Sequence, residues 1–393
     1  MREVAQYEND HFIKMAAELM EEHSDLFDVY QDRCSQELMN SVQILLENKL
    51  GQKDAILTAS GSDALLCVLL AINIHPQDEV ILPVSICQCV INTILQLRAV
   101  PVLVDVDEHL SFAKHKLIQD ITPHTKAIIA YHPYGMACDF SWLQPVVASR
   151  KQRIYVIEDC AQSSGTVYNG IPVGSIGDFS IFSFGKGKPI CAGIGGSVNT
   201  HIEEMKEKLL FVCRSGVSGY PDDRYLGIHT LLSNVDTLSI YYKLFKMDEL
   251  LELKVKKAEL YQNFLRGCGD ILDDHRFLSG RNNVYHRLVL NLGNSCPDLF
   301  NLIRRHVICY LDQLGIHTIQ TAVPVPPYKV NFLNRYYKEI GRQDLIDEQG
   351  ERYINWRTLE NQYLYFRTNE VITEQDIQIS CQVLQRVYQW NNS

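Results

Sequence analysis

The glycine-rich stretch FSFGKGKPICAGIGG, residues 182–196, carries two lysines, Lys186 and Lys188, directly after an aromatic run. A nucleotide P-loop needs a glycine five residues before its Gly-Lys pair and a hydroxyl residue after it, but Phe182 and Pro189 occupy those positions. The glycine pattern of dinucleotide-binding loops also fails, because a valine stands where its third glycine belongs. A lone Gly-Lys pair is more often a solvated turn than a site, so the surrounding residues must decide.

Two hydroxyl-bearing stretches could hold an anion. The stretch LTASGSDALLCVLLA places Ser60, Gly61 and Ser62 at the start of an apolar helix. Unpaired backbone N–H groups and the helix dipole attract negative charge there, although a plain helix cap would have the same sequence. Ser183, five residues before Lys188, supplies a further hydroxyl at the end of a predicted strand. Together these residues predict a phosphate site.

A pair of carboxylates completes the set. The stretch YVIEDCAQSSG ends a predicted buried strand on Glu158 and Asp159. A carboxylate at the carboxyl end of a parallel strand points into the crevice where α/β proteins bind ligands, although it could instead cap the next helix. Pyridoxal 5'-phosphate (PLP) suits this set. Its phosphate needs N–H and hydroxyl donors, its pyridine nitrogen needs a carboxylate, and its aldehyde needs a lysine for a Schiff base.

The composition limits the other classes of function. The chain has 393 residues, is 46% hydrophobic and has a formal net charge of -10, which argues against a nucleic-acid-binding protein. Its twelve cysteines lack paired metal-ligand spacing, so we expect no metal site and a reducing, cytoplasmic setting. The charged start MREVAQYENDHF is unlike a signal peptide, and no apolar run approaches the ~18 residues of a membrane helix. We therefore expect a soluble protein that binds no membrane.

The elements that must position these residues alternate along residues 51–200. Short apolar runs typical of buried strands are separated by helical patterns, such as those over 87–98 and 140–152. This alternation predicts a largely parallel sheet covered by helices on both faces. The predicted strands cover residues 79–84, 99–106, 125–132, 153–159, 179–184 and 195–200.

The rest of the sequence lacks this alternation of strands and helices. Residues 1–50 are predicted to form one or two amphipathic helices, and residues 235–268 one long helix without proline. We interpret residues 1–250 as a large α/β domain and residues 251–393 as a small α+β domain. In the small domain the pattern predicts a strand over 285–292, a helix near 297–314, a proline-rich loop over 322–329 and a final helix over 374–390.

These motifs, taken in order, resemble the DegT/DnrJ/EryC1/StrS family of PLP-dependent sugar aminotransferases. The segments SGSDAL, PQDEVILP, VPVLVDVD, YHPYGMACD, IEDCAQSSG and VGSIGDFSIFSF each follow a family motif. The family then has S-F-x-x-x-K-x-x-x-x-G-E-G-G, and this chain matches every fixed position but one. The resemblance implies the fold-type I architecture: a mostly parallel seven-stranded sheet flanked by helices, with a smaller α+β C-terminal domain.

The resemblance also implies a role for each site residue. Lys188, rather than Lys186, would form the Schiff base, and Asp159 would pair with the pyridine nitrogen. Gln162 would lie beside the ring oxygen, and Ala161 would pack on one ring face. The phosphate would be held by Gly61, Ser62 and Ser183.

Four positions depart from the family pattern. Ile194 replaces a glutamate, and Cys87 lies near the place of an aromatic side chain that stacks on the cofactor ring. In the family, one loop reaches the cofactor phosphate of the neighbouring subunit. In this loop His229 replaces an asparagine and Leu231 replaces an arginine. We expect a homodimer in which His229 approaches the cofactor phosphate of the other subunit.

The predicted function is transfer of an amino group from an amino donor to a keto-sugar that is linked to a nucleotide. The resemblance to the family implies that this donor is glutamate. In this scheme Lys188 moves the proton between the donor and the cofactor, and Asp159 keeps the ring protonated. The alternatives are a PLP enzyme acting on a non-sugar ketone, a sugar dehydratase, and a catalytically silent binding protein. A dehydratase of this kind is expected to carry histidine in place of Lys188.

Overall fold

The computed structural model describes residues 36–214, 226–266, 270–271, 281–292, 297–321, 327–347 and 350–391. The helices predicted over residues 1–50 lie partly outside these ranges, and the described part forms the helix Gln36–Leu50. Most of the proline-rich loop also lies outside them. No helix of the described residues has the length and apolar content that crossing a bilayer requires.

The first half of the chain builds a seven-stranded sheet, which confirms the predicted fold class. Its order is β1-β9-β8-β5-β4-β2-β3. The pairs β5–β8, β4–β5, β2–β4 and β2–β3 are parallel, and β9 runs antiparallel to β1 and β8. The strands up to this point are β1 (Ile56–Thr58), β2 (Glu79–Pro83), β3 (Val100–Val104), β4 (Thr125–Tyr131), β5 (Tyr155–Asp159), β6 (Val167–Tyr168), β7 (Ile171–Pro172), β8 (Phe179–Ser183) and β9 (Gly196–Thr200).

All six strands predicted from apolar runs are present. In β2, β3, β8 and β9 every residue is buried, as expected for strands that are covered by helices on both faces. The short strand β1 was not predicted, because its three residues lead directly into a helix. The helices around this sheet are Gly61–Ala71, Gln88–Gln96, Lys114–Asp120, Leu143–Ala148 and Glu203–Cys213.

The C-terminal part adds a four-stranded antiparallel sheet of order β10-β12-β14-β13. Its strands are β10 (Asp270–Ile271), β12 (Arg287–Asn291), β13 (Ile319–Thr321) and β14 (Tyr363–Arg367), while β11 (Arg281–Asn282) pairs with β6. The helices of this part are Pro297–Leu302, Ile308–Gln313, Asn331–Glu339, Ile354–Leu359 and Glu374–Asn391, and a π-helical turn, Ile303–Val307, joins the first two.

The single long helix predicted over residues 235–268 is wrong, because the chain breaks at Lys246 into the helices Asn234–Phe245 and Met247–Phe264. Neither proline nor glycine causes the break. Ile240 in the first helix packs into the same apolar cluster as the helix Gln36–Leu50, whereas Ala258 in the second packs under the C-terminal sheet. Tertiary packing of the two halves on different cores therefore overrides a continuous helical pattern.

The C-terminal part also packs against the large sheet. Tyr337, Trp356 and Tyr363 are buried in the same apolar cluster as the large sheet. The Tyr337 hydroxyl donates a hydrogen bond to the Pro101 carbonyl at 2.6 Å, and the carboxylate of Asp105 accepts two hydrogen bonds from backbone N–H groups at the start of the helix Ile354–Leu359. This packing fixes the C-terminal sheet over the strand ends. The domain boundary at residue 250 stays a prediction.

Candidate active site

Asp159 ends β5 and is 4% exposed. One of its carboxylate oxygens accepts a hydrogen bond from the Ala161 N–H at 3.0 Å. Burial raises the pKa of Asp159, although the positive charge of Lys188 and the hydrogen bond from Ala161 act in the opposite direction. The carboxylate is therefore removed from water without a full counter-charge, and a cation placed against it would be strongly held.

Of the two lysines of the glycine-rich loop, Lys188 is the one whose charge acts on this carboxylate. Lys188 is half-buried and its N–H closes a turn on the Gly185 carbonyl at 3.2 Å, whereas Lys186 is exposed. The positive charge of Lys188 lowers the pKa of Asp159 and also acts on the pKa of Cys87 and of His286. The structure thus brings the predicted lysine and carboxylate into one electrostatic cluster.

The anion site predicted at residues 60–62 forms the start of the helix Gly61–Ala71. Ser60 caps this helix, since its hydroxyl accepts a hydrogen bond from the Asp63 N–H at 3.1 Å. The backbone N–H groups in the first turn of a helix have no acceptor inside the helix, and a helix start of this kind attracts an anion. A Cβ on Gly61 would lie 2.9 Å from the Ser183 Cβ, so only glycine lets the helix start approach this buried hydroxyl.

Cys87 lies on the opposite side of the cluster, directly before the helix Gln88–Gln96. Its sulfur accepts a hydrogen bond from the Cys89 thiol at an Sγ–Sγ distance of 3.1 Å. That hydrogen bond, with the charge of Lys188 as a smaller contribution, lowers the pKa of Cys87 to about 6 despite the opposing effect of burial. Cys87, which is exposed, thus stands in place of the aromatic ring that the resemblance implies, and its contact with a cofactor stays a prediction.

The motif YHPYGMACD forms a strained turn beside the same cluster. Tyr134 has a left-handed backbone with φ of 53°, and its N–H donates to the side-chain oxygen of Gln162 at 3.0 Å. A Cβ on Gly135 would lie 2.8 Å from the His286 backbone nitrogen, so the turn touches the C-terminal part of the chain. Strain of this kind costs about 1–3 kcal/mol and is often found at functional sites.

Three buried residues next to the site, His132, Glu158 and Cys160, are close enough together to hold a metal ion. Their bonding favours a structural role instead. His132 Nε2 lies 3.2 Å from a Glu158 oxygen, and its Nδ1 accepts the Cys138 N–H at 3.0 Å. Burial alone would raise the pKa of Glu158, but these hydrogen bonds hold it below its usual value. The carboxylate also accepts N–H groups of Gly174, Ile176 and Gly177.

The predicted cross-subunit residue, His229, lies apart from this cluster within the chain. It is exposed and pairs with Arg214 in an isolated β-bridge. Leu231, two residues later, is 56% exposed, and Ile194 in the glycine-rich loop is 44% exposed. The predicted site residues thus divide into one group around Asp159 and Lys188 and the exposed His229, whose contact with a second subunit stays a prediction.

Sequence reasoning missed several residues of the site. Tyr134 was part of a quoted motif but received no role. His286 and Arg287, at the start of β12, were interpreted only as part of an apolar strand. The interruption of that apolar run by a histidine and an arginine was the available signal, because charged residues are rarely placed in a buried strand without a partner.

Comparisons with known proteins agree with this geometry. A sequence profile of the DegT/DnrJ/EryC1/StrS aminotransferase family matches residues 39–338. The chain is 33% identical over 288 residues to a GDP-perosamine synthase of Caulobacter vibrioides, covering 71% of this chain and 75% of that one. It is 30% identical over 295 residues to dTDP-3-amino-3,6-dideoxy-alpha-D-galactopyranose transaminase of Aneurinibacillus thermoaerophilus, covering 74% and 76%.

The fold is also found in solved structures. A putative sugar aminotransferase from Streptococcus pneumoniae, in its PMP form, superposes with a TM-score of 0.80 at 20% identity. The superposition covers 96% of this chain and 95% of that one. At this identity the likeness concerns the fold, and it extends over the large sheet and the C-terminal part together.

Proposed function

The chain belongs to the DegT/DnrJ/EryC1/StrS aminotransferase family, and from that membership we propose that it transfers an amino group from glutamate to a keto-sugar carried on a nucleotide. Two relatives support this acceptor, because one is named for a GDP-linked amino sugar and the other for a dTDP-linked amino sugar. The observation that carries the proposal is the buried Asp159 carboxylate at the end of β5, on which the positive charge of the half-buried Lys188 acts.

The residues of the site fit PLP, the cofactor of this family. Asp159 is a desolvated carboxylate that lacks a full counter-charge, as a group facing a protonated pyridine nitrogen should be. Gly61 lets the helix start pack closely against Ser183, where a Cβ would clash, and this helix start and its hydroxyls match a phosphate. When bound, PLP supplies an aldehyde that accepts the amino group and a ring that withdraws electrons from the reacting carbon.

The chain's own residues then have distinct tasks. With PLP bound, the Lys188 Nζ would hold it covalently and, once displaced by the amino donor, would act as the base and acid that moves a proton from the donor's Cα. Asp159 would keep the ring nitrogen protonated, and Gln162 and Ala161 would border the ring. Ser62 and Ser183 would donate hydrogen bonds to the phosphate.

We expect the purified protein to convert bound PLP to pyridoxamine phosphate when glutamate is added, because Lys188 can supply both proton transfers while Asp159 keeps the ring nitrogen protonated. The measurement is stopped-flow absorbance of the bound cofactor under single-turnover conditions, repeated with glutamine, alanine and aspartate. Regeneration of the starting spectrum by a nucleotide-linked keto-sugar would then identify the acceptor. Full binding of PLP without conversion by any amino donor would contradict the aminotransferase function and favour a silent relative.

We further propose that the protein acts as a homodimer. Large apolar side chains are exposed in neighbouring segments around His229, and patches of this kind often mark subunit interfaces. The helices Gln36–Leu50 and Asn234–Phe245, which pack on each other, carry three of them. The exposed residues in these segments are Ile44, Ile194, Leu226, Leu231, Val235 and Phe245.

His229 would donate a hydrogen bond to the cofactor phosphate of the partner subunit, and hybrid dimers test this directly. His229→Ala should weaken PLP binding about tenfold, since a hydrogen bond to a charged group contributes about 1.5–3 kcal/mol. Mixing inactive Lys188→Ala with His229→Ala subunits should restore about a quarter of the wild-type sites, because each mixed dimer regains one complete site. Light scattering that shows a PLP-bound monomer at micromolar concentration would contradict the homodimer.

A further inference from the structure

Two arginines face each other in the C-terminal sheet. Arg287 opens β12 and Arg367 ends β14, and the two are directly paired in the antiparallel register. Like charges directly opposite on neighbouring strands destabilise a sheet. A pair of this kind is therefore expected only where an anion offsets the repulsion.

The alternation along both strands places these side chains on the face toward the large sheet. Leu288 and Leu290 pack into the apolar cluster under the C-terminal helices, whereas Val289 belongs to the cluster of the large sheet. In β14, Tyr365 likewise packs toward the large sheet and Phe366 away from it. Side chains two residues apart on a strand lie on the same face, so Arg287 shares the face of Val289, and Arg367 shares the face of Tyr365. Both arginine side chains thus lie on the face of the C-terminal sheet that is turned toward the large sheet.

No carboxylate among the described residues forms an ion pair with either arginine. Arg287 Nη1 donates only to the His286 carbonyl at 3.1 Å, and Arg367 Nη1 only to the His317 carbonyl at 3.4 Å. The buried Nε of Arg367 has no hydrogen-bond partner. Burial, together with the charge of Arg367, lowers the pKa of Arg287 to about 10. Two partly buried cations are therefore held together without a negative charge.

The other charged groups nearby do not supply that charge. Lys254 on the helix Met247–Phe264 is buried and adds to the positive potential at both His286 and Arg287. The nearest acidic group in this region, Glu370, is engaged by lysines, including Lys243 at 3.8 Å. The cluster is thus positive and remains unneutralised by the described residues.

The pair lies within electrostatic range of the proposed reaction centre. Burial raises the pKa of Tyr134 to about 12, and the charges of Arg287 and Cys87 act on this pKa in opposite directions. The Tyr134 N–H donates to Gln162, three residues after Asp159, and its ring lies 4.5 Å between ring centres from Tyr365 on the strand of Arg367. Tyr134 therefore contacts both the segment that follows Asp159 and the strand that carries one of the two arginines. A small molecule that reacts at Lys188 could extend a polar group along Tyr134 to them.

We propose that Arg287 and Arg367 form the binding site for a carboxylate group of a substrate. The planar guanidinium group binds a carboxylate through two parallel hydrogen bonds, and the free N–H groups of the pair suit this geometry. The carboxylate could belong to the amino donor or to an acidic sugar acceptor. This inference rests on the proposed aminotransferase function for its location but predicts a site that the function does not require.

The test uses the PLP-bound enzyme and the variants Arg287→Gln and Arg367→Gln, with the exposed Arg335→Gln as the matched control. If the donor's side-chain carboxylate binds here, both variants should raise the half-saturating glutamate concentration by at least about 30-fold while leaving that of alanine unchanged. An equal loss for glutamate, glutamine and alanine would assign the site to the α-carboxylate. Arg287→Lys, which keeps the charge but loses the paired hydrogen bonds, should give an intermediate loss.

A second measurement addresses the acceptor and does not depend on turnover. If the carboxylate belongs to an acidic sugar, donor half-saturation should stay at the wild-type value in both variants. D-glucuronate, but not D-glucose, should then raise the melting temperature of the wild type and of Arg335→Gln, and this rise should vanish in the two site variants. Glutarate should produce the same pattern if the donor's side chain is the ligand.

The inference is overturned if both site variants keep wild-type half-saturation for every donor and the same melting-temperature response to glutarate and glucuronate. A different result would separate the site from the function. If the wild type converts no amino donor, but carboxylates raise its melting temperature and not that of the variants, the proposed function is contradicted and the site is supported. The unliganded variants should melt at or above the wild-type temperature, because each substitution removes the repulsion between like charges. Variants that melt well below it and respond normally to carboxylates would show that the pair is structural.

Discussion

Lys188→Ala is expected to abolish covalent attachment of PLP and to slow the half-reaction with glutamate by roughly a thousandfold or more. The first effect follows because Lys188, unlike Lys186, is half-buried and its positive charge acts on the Asp159 carboxylate. The second follows because a positioned acid–base group contributes about 10²–10⁴ to a proton-transfer rate, and alanine offers no proton acceptor. Non-covalent binding of the phosphate through the start of the helix Gly61–Ala71 should persist.

The second lysine of the loop provides the matched control. Lys186 is exposed and two residues away, so Lys186→Ala should retain the yellow, covalently attached cofactor and near wild-type conversion. Reduction with borohydride followed by peptide mass spectrometry locates the attachment site in each protein. An adduct on Lys186 in the wild type, or undiminished conversion by Lys188→Ala, would show that the wrong lysine has been assigned.

Most of the large sheet could be predicted from the sequence because its strands are buried on both faces. Such strands are continuous apolar runs bounded by polar turns, and residues 79–84 and 125–132 are clear examples. The break at Lys246 could not be predicted in the same way. No local residue encodes it, and it arises because the two helical halves pack on different cores.

In the candidate site, too, some residues could be predicted from local sequence patterns, whereas others depend on contacts between distant segments. Ser60 and Gly61 precede an apolar helix and Asp159 ends an apolar strand, so their local patterns indicated an anion site and a carboxylate in the crevice. The contact of Tyr134 with Tyr365 joins residues that are far apart in the chain, and the pairing of Arg287 with Arg367 depends on strand register. No single segment contains either signal.

The two carboxylates at the end of β5 have opposite environments, and this difference predicts different roles. Glu158 is hydrogen-bonded by His132 and by backbone N–H groups, and these bonds hold its pKa below its usual value. Asp159 accepts one N–H, and burial raises its pKa. A fully bonded carboxylate stabilises the fold, whereas a poorly compensated one is suited to bind a cation. Only the second arrangement provides a partner for a protonated ring nitrogen.

Asp159→Asn is therefore expected to retain much of the bound PLP but to slow the half-reaction with glutamate by roughly a hundredfold or more, a loss of about 2.7 kcal/mol. Asparagine has the same shape and its side-chain oxygen can still accept the Ala161 N–H, so the local structure should persist. The lost negative charge no longer keeps the ring nitrogen protonated. Ring protonation matters most when negative charge develops on the donor's Cα, so the loss falls on the transition state more than on cofactor binding.

The measurement is single-turnover absorbance at saturating glutamate, with PLP content and melting temperature recorded for each variant. Glu158→Gln serves as the comparison, because it also removes one buried negative charge but removes it from the hydrogen-bond network with His132. We expect Glu158→Gln to lower the melting temperature and Asp159→Asn to lower the rate at nearly unchanged melting temperature. An Asp159→Asn enzyme that reacts as fast as the wild type would leave the fold and the role of Lys188 intact, but it would remove Asp159 from the chemistry, because a buried carboxylate that stabilises the protonated ring nitrogen cannot be replaced by a neutral amide without cost to the rate.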